Sequence, residues 1–299
     1  MLTNSFTLII GAQKSGTTAL HNLLYSHPEV SLPNIKETHF FSMNENYLKG
    51  IDWYKTQFDC NEKAMCEVDP SYLYFNKTAD RIYSNIQSPK FIVVFRRPLE
   101  RALSHYFMSL YRGLEEFPFK KALDMERERL KLDKNLFSSI NHSYLDRGNY
   151  SKQLEIYLNK FNKTDFLFIK FEDLITDNKN KIKDEICSFM NISNIFKEQS
   201  LPKSNKRKRV KSSMIRDLLY KENYVKQIAK ALVPSDSIRI RIKEFINSFN
   251  SEYYTNLESR QQVDDNLKFL PEKYFRWNNS QTKMISSLTS LDLNDWIYS

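Results

Sequence analysis

At 299 residues, with 41% hydrophobic and 27% charged side chains, the chain has the balance of a water-soluble globular protein and room for one large α/β domain or two small ones. Its three scattered cysteines, Cys60, Cys66 and Cys187, exclude a disulfide framework, and no Cys/His cluster has zinc-ligand spacing. A formal net charge of +9 asks for an anionic partner, whether nucleic acid, anionic lipid, a phosphorylated cofactor or an acidic glycan, and does not choose among them.

The N-terminus runs into a short apolar segment without a basic leader, and no stretch approaches the roughly 18 apolar residues of a membrane span, so a cytoplasmic protein is expected. Phe6-Thr7-Leu8-Ile9-Ile10 reads as a buried strand ending at Gly11. After Gly16 the spacing of Leu20, Leu23 and Leu24 is helical, giving strand, tight loop, helix. Further strands are expected at 64–68, 91–95 and 166–170, where near-continuous apolar runs suit parallel strands covered on both faces. Helices are expected from Pro98 onward and over 151–161, where Leu154, Tyr157, Leu158 and Phe161 share a face. Alternating strands and helices predict an α/β fold: a single domain over 1–299 with a central parallel sheet flanked by helices, its ligands at the C-terminal ends of the strands. The basic run 203–211 is expected as a surface loop, and 212–299 as a mostly helical C-terminal part of the same domain.

Gly11-x4-Gly16-Thr17 has the glycine spacing of a nucleotide phosphate-binding loop, and its context aims backbone N–H groups and a helix N-terminus at an anion. In the nucleoside-triphosphate version a lysine follows the second glycine. Here Thr17 holds that position and the lysine is Lys14, inside the loop. The strand 91–95 ends in Arg96-Arg97 rather than in an acid that would hold Mg²⁺, and an arginine pair attracts a second phosphate instead.

These residues resemble the sulfotransferase family that uses 3′-phosphoadenosine-5′-phosphosulfate, whose donor loop reads Gly-x-x-Lys-Ser-Gly-Thr-Thr between strand and helix. The resemblance continues in order along the chain: Lys36-Glu37-Thr38-His39-Phe40-Phe41, similar to a segment of the glycosaminoglycan branch; Glu67-Val68-Asp69-Pro70-Ser71-Tyr72; Arg96 to Tyr106; Gly148-Asn149-Tyr150; Phe171-Glu172-Asp173-Leu174; and Leu293-Asn294-Asp295-Trp296. It implies an enzyme of P-loop-like fold that moves a sulfonyl group from the phosphosulfate donor to a hydroxyl, or less readily an amine, of a glycan, releasing 3′-phosphoadenosine-5′-phosphate without a metal. In that reading Lys14 sits at the phosphosulfate bridge, and Ser15, Gly16, Thr17 and Thr18 hold the 5′-phosphate. Arg96 and Ser104 clamp the 3′-phosphate and Arg209 closes over it, while Glu37 is the general base with His39 sharing or orienting that task. Val68 and Ser42 depart from the glycosaminoglycan pattern, which often has lysine and an acid there. Phe40, Phe41, Tyr106 and Tyr150 read as core more than as pocket lining. Two rival readings are a phosphate-loop kinase, opposed by the displaced lysine, and a nucleic-acid-binding module built on the net charge and the 203–211 run; the ordered motifs leave no place for nucleic acid as the partner.

Overall fold

The computed structural model describes residues 6–59, 64–176, 179–196, 207–210, 251–254 and 260–299. Five parallel strands, β1 (Phe6–Gly11), β2 (Val30–Ser31), β3 (Ala64–Val68), β4 (Lys90–Phe95) and β5 (Phe166–Lys170), form one sheet in the order β2-β3-β1-β4-β5. The expected strands are all present. The two-residue β2 was not read, because Val30-Ser31 carries no apolar run of its own and exists only as a partner for β3.

Strand alternation sends neighbouring residues to two separate cores. Leu8 and Ile10 of β1 with Phe91, Val93 and Phe95 of β4 pack against α8 (Tyr150–Leu158) and α12 (Glu272–Thr289). Ile9, Cys66, Val68, Ile92 and Val94 pack on the other face against α1 (Thr17–Tyr25) and α10 (Lys179–Met190). Two covered faces explain why these strands are apolar throughout. The intervening helices are α2 (Asn44–Tyr47), α3 (Gly50–Lys55), α4 (Lys77–Asn85), α5 (Pro98–Tyr111), α6 (Phe119–Lys131), α7 (Phe137–Asn141), α9 (Phe171–Ile175) and α11 (Arg260–Lys268). No described helix is long and apolar enough to cross a membrane.

The chain's contacts gather in two compact units. The first, Met1–Ala102 with Leu145–Ser204 and Pro271–Ser299, holds the sheet. Its C-terminal segment is tied in by Asn278, whose side chain accepts from Leu99 N (3.2 Å) and donates to the Trp296 carbonyl (2.9 Å). Leu99 N is one of the first-turn donors of α5 that no intrahelical acceptor can serve. The second unit comprises Leu103–Tyr144 and Asn205–Leu270. Its buried Glu115 accepts from both Arg129 nitrogens (2.5 and 3.0 Å), from Phe117 N (3.0 Å) and from Tyr144 (2.8 Å). Burial alone would raise this carboxyl, but Arg129 and the other donors outweigh it and hold the group at about 2.

Within the basic run expected as a loop, residues 207–210 form strand β6 (Arg207–Val210), antiparallel to β7 (Ser251–Tyr254) in a second sheet. An alternating pattern is absent from Arg-Lys-Arg-Val, so periodicity alone could not show a strand there. Residues 203–206 and 211 of that run, and 212–250 and 255–259 of the expected helical part, lie outside the described residues; within that part 251–254 form the strand β7, and 260–268 and 272–289 are helices.

Candidate functional site

Two loops meet at the C-terminal edge of the sheet in the first unit. The donor loop leaves β1 and enters α1 with Gly16 at φ 89°, a left-handed conformation that favours glycine. A Cβ at that position would also lie 3.1 Å from the Phe171 ring of α9, which packs on the loop from below. Main-chain bonds fix the turn: Ala12 N to Val94 O (2.7 Å), Ser15 N to Ala12 O (3.1 Å) and Ala19 N to Gly16 O (2.9 Å). The helical ladder therefore starts at Ala19, ahead of which stand the N–H groups of Gly16, Thr17 and Thr18, and the first turn of α1 carries no acid. Successive N–H groups at a helix N-terminus suit a phosphate.

Arg96, at the end of β4, reaches the Lys14 carbonyl (3.4 Å), pairs with Glu100 (3.5 Å) and lies over the Phe171 ring (4.8 Å). Its carbonyl accepts from the Tyr150 hydroxyl (3.0 Å), and Ser15 is buried against that same phenol. Tyr150 is itself pushed up to about 12, chiefly by burial, so it remains a neutral donor. Gly148 before it leaves space for Trp277, whose ring would be 2.7 Å from a Cβ there, and the Trp277 N–H donates to Asn149 (2.9 Å). Gly148-Asn149-Tyr150 thus braces the Arg96 corner. Arg97 pairs with Glu100 (2.9 Å) and donates to the Asp295 carbonyl, anchoring the C-terminal Leu-Asn-Asp-Trp segment.

The second loop, 36–39, follows β2. Lys36 joins it to the donor loop by donating to the Thr18 hydroxyl (3.2 Å), and lies 3.8 Å from the Glu37 carboxylate. Glu37 and His39 have φ of 55° and 51°, and Lys14 in the donor loop has 72°. Three of the seven non-glycine residues with positive φ among the described residues are therefore the three expected catalytic groups. A left-handed conformation costs a non-glycine residue about 1–2 kcal/mol, and such strain gathers where function over-determines the backbone.

The 36–39 loop is held from β3. Glu67, fully buried, accepts from Thr38 N (3.0 Å) and Thr38 Oγ1 (2.5 Å) on one oxygen, and from Tyr54 (2.6 Å) and Tyr72 (2.8 Å) on the other. Burial first, and the neighbouring Asp69 charge second, raise this carboxyl against the pull of those hydroxyls. Asp69 Oδ2 accepts from His39 N (2.9 Å) and lies 2.8 Å from His39 Nδ1, while Oδ1 accepts from Ser71 N (2.9 Å). Sequence reasoning gave Glu67 and Asp69 no role. The available signal was a carboxylate inside the apolar strand Ala-Met-Cys-Glu-Val, which must find partners when both faces are covered.

The structure thus gathers Lys14, Ser15, Gly16, Thr17, Thr18, Arg96, Glu37 and His39 in one unit. Ser104 is buried on α5 in the stretch that belongs to the second unit, as does Arg209, whose backbone in β6 stands opposite Glu252 and whose side chain lies outside the described residues. Phe40, Phe41 and Tyr150 are core residues, fully buried, and Tyr106 is nearly so.

A family model described as a sulfotransferase domain matches residues 5–238. Mouse heparan sulfate glucosamine 3-O-sulfotransferase 5 is 34% identical over 174 residues, 57% of this chain and 49% of that protein. The bifunctional heparan sulfate N-deacetylase/N-sulfotransferase 1 of Caenorhabditis briggsae is 32% identical over 178 residues, 56% of this chain and 20% of that protein. This chain's match thus spans about half of the first relative and a fifth of the second. A crystal structure of a sulfotransferase from Alicyclobacillus acidocaldarius shares the fold with a TM-score of 0.66 at 22% identity, covering 99% of each chain.

Proposed function

The chain belongs to the sulfotransferase family, and from that premise we propose that it moves a sulfonyl group from 3′-phosphoadenosine-5′-phosphosulfate to a glycan hydroxyl by direct in-line displacement. The observation that carries this reading is the junction of the two loops: Lys14 on the donor loop, and Glu37 beside a lysine that reaches across to Thr18.

The N–H groups of residues 16–18 and the Thr18 hydroxyl hold the 5′-phosphate, with Lys14 at the bridging oxygen. As the acceptor oxygen bonds to sulfur, the sulfur–oxygen bond of the bridge breaks and its electron pair stays on the phosphate oxygen, where the Lys14 ammonium stabilises the new charge. The acceptor's proton passes to the Glu37 carboxylate, which makes a poor nucleophile competent only as the new bond forms. Arg96 fits a second phosphate at the strand end. A glycan acceptor is supported by the two heparan-modifying relatives and by the Lys36 to Phe41 segment.

The test is a labelled-sulfate assay with the donor against heparan-type oligosaccharides, a lipid and a phenol, run beside calorimetry with 3′-phosphoadenosine-5′-phosphate. Transfer to the oligosaccharide with micromolar nucleotide binding supports the reading. Mg²⁺-dependent ATP turnover without sulfate transfer replaces it with the kinase reading, and salt-sensitive RNA binding without nucleotide affinity replaces it with the nucleic-acid one.

A further inference from the structure

We propose that Asp69 is a positioning residue for the transfer: it fixes both the backbone and the ring of His39 and keeps that imidazole protonated, so that Glu37 alone accepts the proton while His39 serves as a fixed cation beside it. The inference rests on the sulfonyl-transfer reading and concerns a residue for which the motifs supplied no role.

One carboxylate oxygen, Asp69 Oδ2, meets two nitrogens of a single residue, the main-chain N–H of His39 at 2.9 Å and Nδ1 at 2.8 Å. The side-chain approach lies off the ring N–H axis, which makes the contact an ion pair more than a linear hydrogen bond. Asp69 is fully buried and its other oxygen is engaged by Ser71 N, so the carboxylate cannot turn away. His39 Nδ1 is buried whereas its side chain is 35% exposed, so the exposure belongs to other atoms of the side chain than the one that meets Asp69. The left-handed backbone of His39 at φ 51° and that of Glu37 at 55° orient these neighbours, and the main-chain bond to Asp69 holds that conformation.

The charges around the ring agree. Asp69 and Glu67 face it from the end of β3, Glu37 from its own loop, and Arg147, buried beyond, also feels Asp69. Burial disfavours the charged ring, but Asp69 first, then Glu37 and Glu67, outweigh that and raise His39 to about 9. A group protonated at neutral pH is no base there. It is a donor, able to stabilise oxygens that gain charge, and it places a positive charge beside Glu37. The proton balance is simple: the acceptor's proton goes to Glu37, and His39 keeps its own.

Asp69→Asn keeps size and removes the charge. We expect turnover at pH 7.5 to fall about 10- to 100-fold, with affinity for 3′-phosphoadenosine-5′-phosphate within about threefold of wild type. The basic limb of the turnover–pH profile, near pH 9 in the wild type, should move at least one unit lower, together with the His39 titration followed by NMR of its ring protons. His39→Gln should abolish that limb, and the double variant should be no worse than His39→Gln alone. Unchanged turnover in Asp69→Asn, or a loss of turnover with the limb unmoved, overturns the proposal. If that variant does not fold, the wild-type titration decides: a His39 that titrates near 6.5 refutes the pair. The titration needs no substrate, so a wild type that transfers no sulfate to any acceptor would sink the functional reading and leave the His39–Asp69 pair to be judged by NMR.

Discussion

The two loops at the sheet edge are built by different means. The donor loop, 11–18, is held mainly by its own backbone: a glycine in the left-handed region, a turn closed by Ser15 N to Ala12 O, and one main-chain bond to β4. The 36–39 loop is held by side chains, the carboxylates of Glu67 and Asp69, which are about 30 positions away in sequence and accept its N–H and hydroxyl groups. A loop that binds a constant phosphate can be a local motif. On the proposed function, the loop that aims a base at an acceptor borrows its rigidity from the neighbouring strand.

That contrast can be broken by mutation. The largest effect is expected for Lys14→Ala, which removes the charge at the bridge and should lower turnover by about 10² to 10³, about 2.7–4 kcal/mol, while the protein melts normally. Glu37→Gln follows, with turnover reduced about 100-fold or more and nucleotide binding by calorimetry retained. Tyr54→Phe acts on the scaffold instead: it deprives buried Glu67 of a 2.6 Å hydroxyl and should destabilise the fold by about 1–3 kcal/mol in urea denaturation. Equal melting of Tyr54→Phe and wild type would show that the carboxylate brace is dispensable.

The last effect is in pH dependence. A His39 pKa of about 9, above its ordinary 6.5, means that the native state binds the extra proton between those values. Stability from this pair is therefore complete below pH 6.5 and is lost as pH rises through about 9. Denaturation at pH 6 and at pH 9.5 should show that loss in the wild type and not in Asp69→Asn.

What the sequence disclosed follows the same division. The strands of the sheet and the donor loop were legible because continuous apolar runs and glycine spacing are local signals. Lys14, Glu37 and His39 were nominated by resemblance, and their shared left-handed backbone is a structural observation that no residue pattern displays. The parts that escaped depend on tertiary partners. β2 pairs through two residues only, β6 reads as a charged run, and Glu67 and Asp69 acquire meaning once β3 is set beside the 36–39 loop. Glu115 in the second unit was likewise unread: an ordinary surface-like glutamate in sequence, it becomes a buried anion because Arg129, Tyr144 and Phe117 N converge on it.

The central claim, sulfonyl transfer from the donor loop to an acceptor held at the 36–39 loop, is tested most directly by single-turnover transfer of labelled sulfate from 3′-phosphoadenosine-5′-phosphosulfate to a heparan-type oligosaccharide, comparing wild type with Lys14→Ala. The account predicts label on the oligosaccharide in the wild type and at least a 100-fold slower appearance in the variant. Equal rates in the two proteins would contradict it.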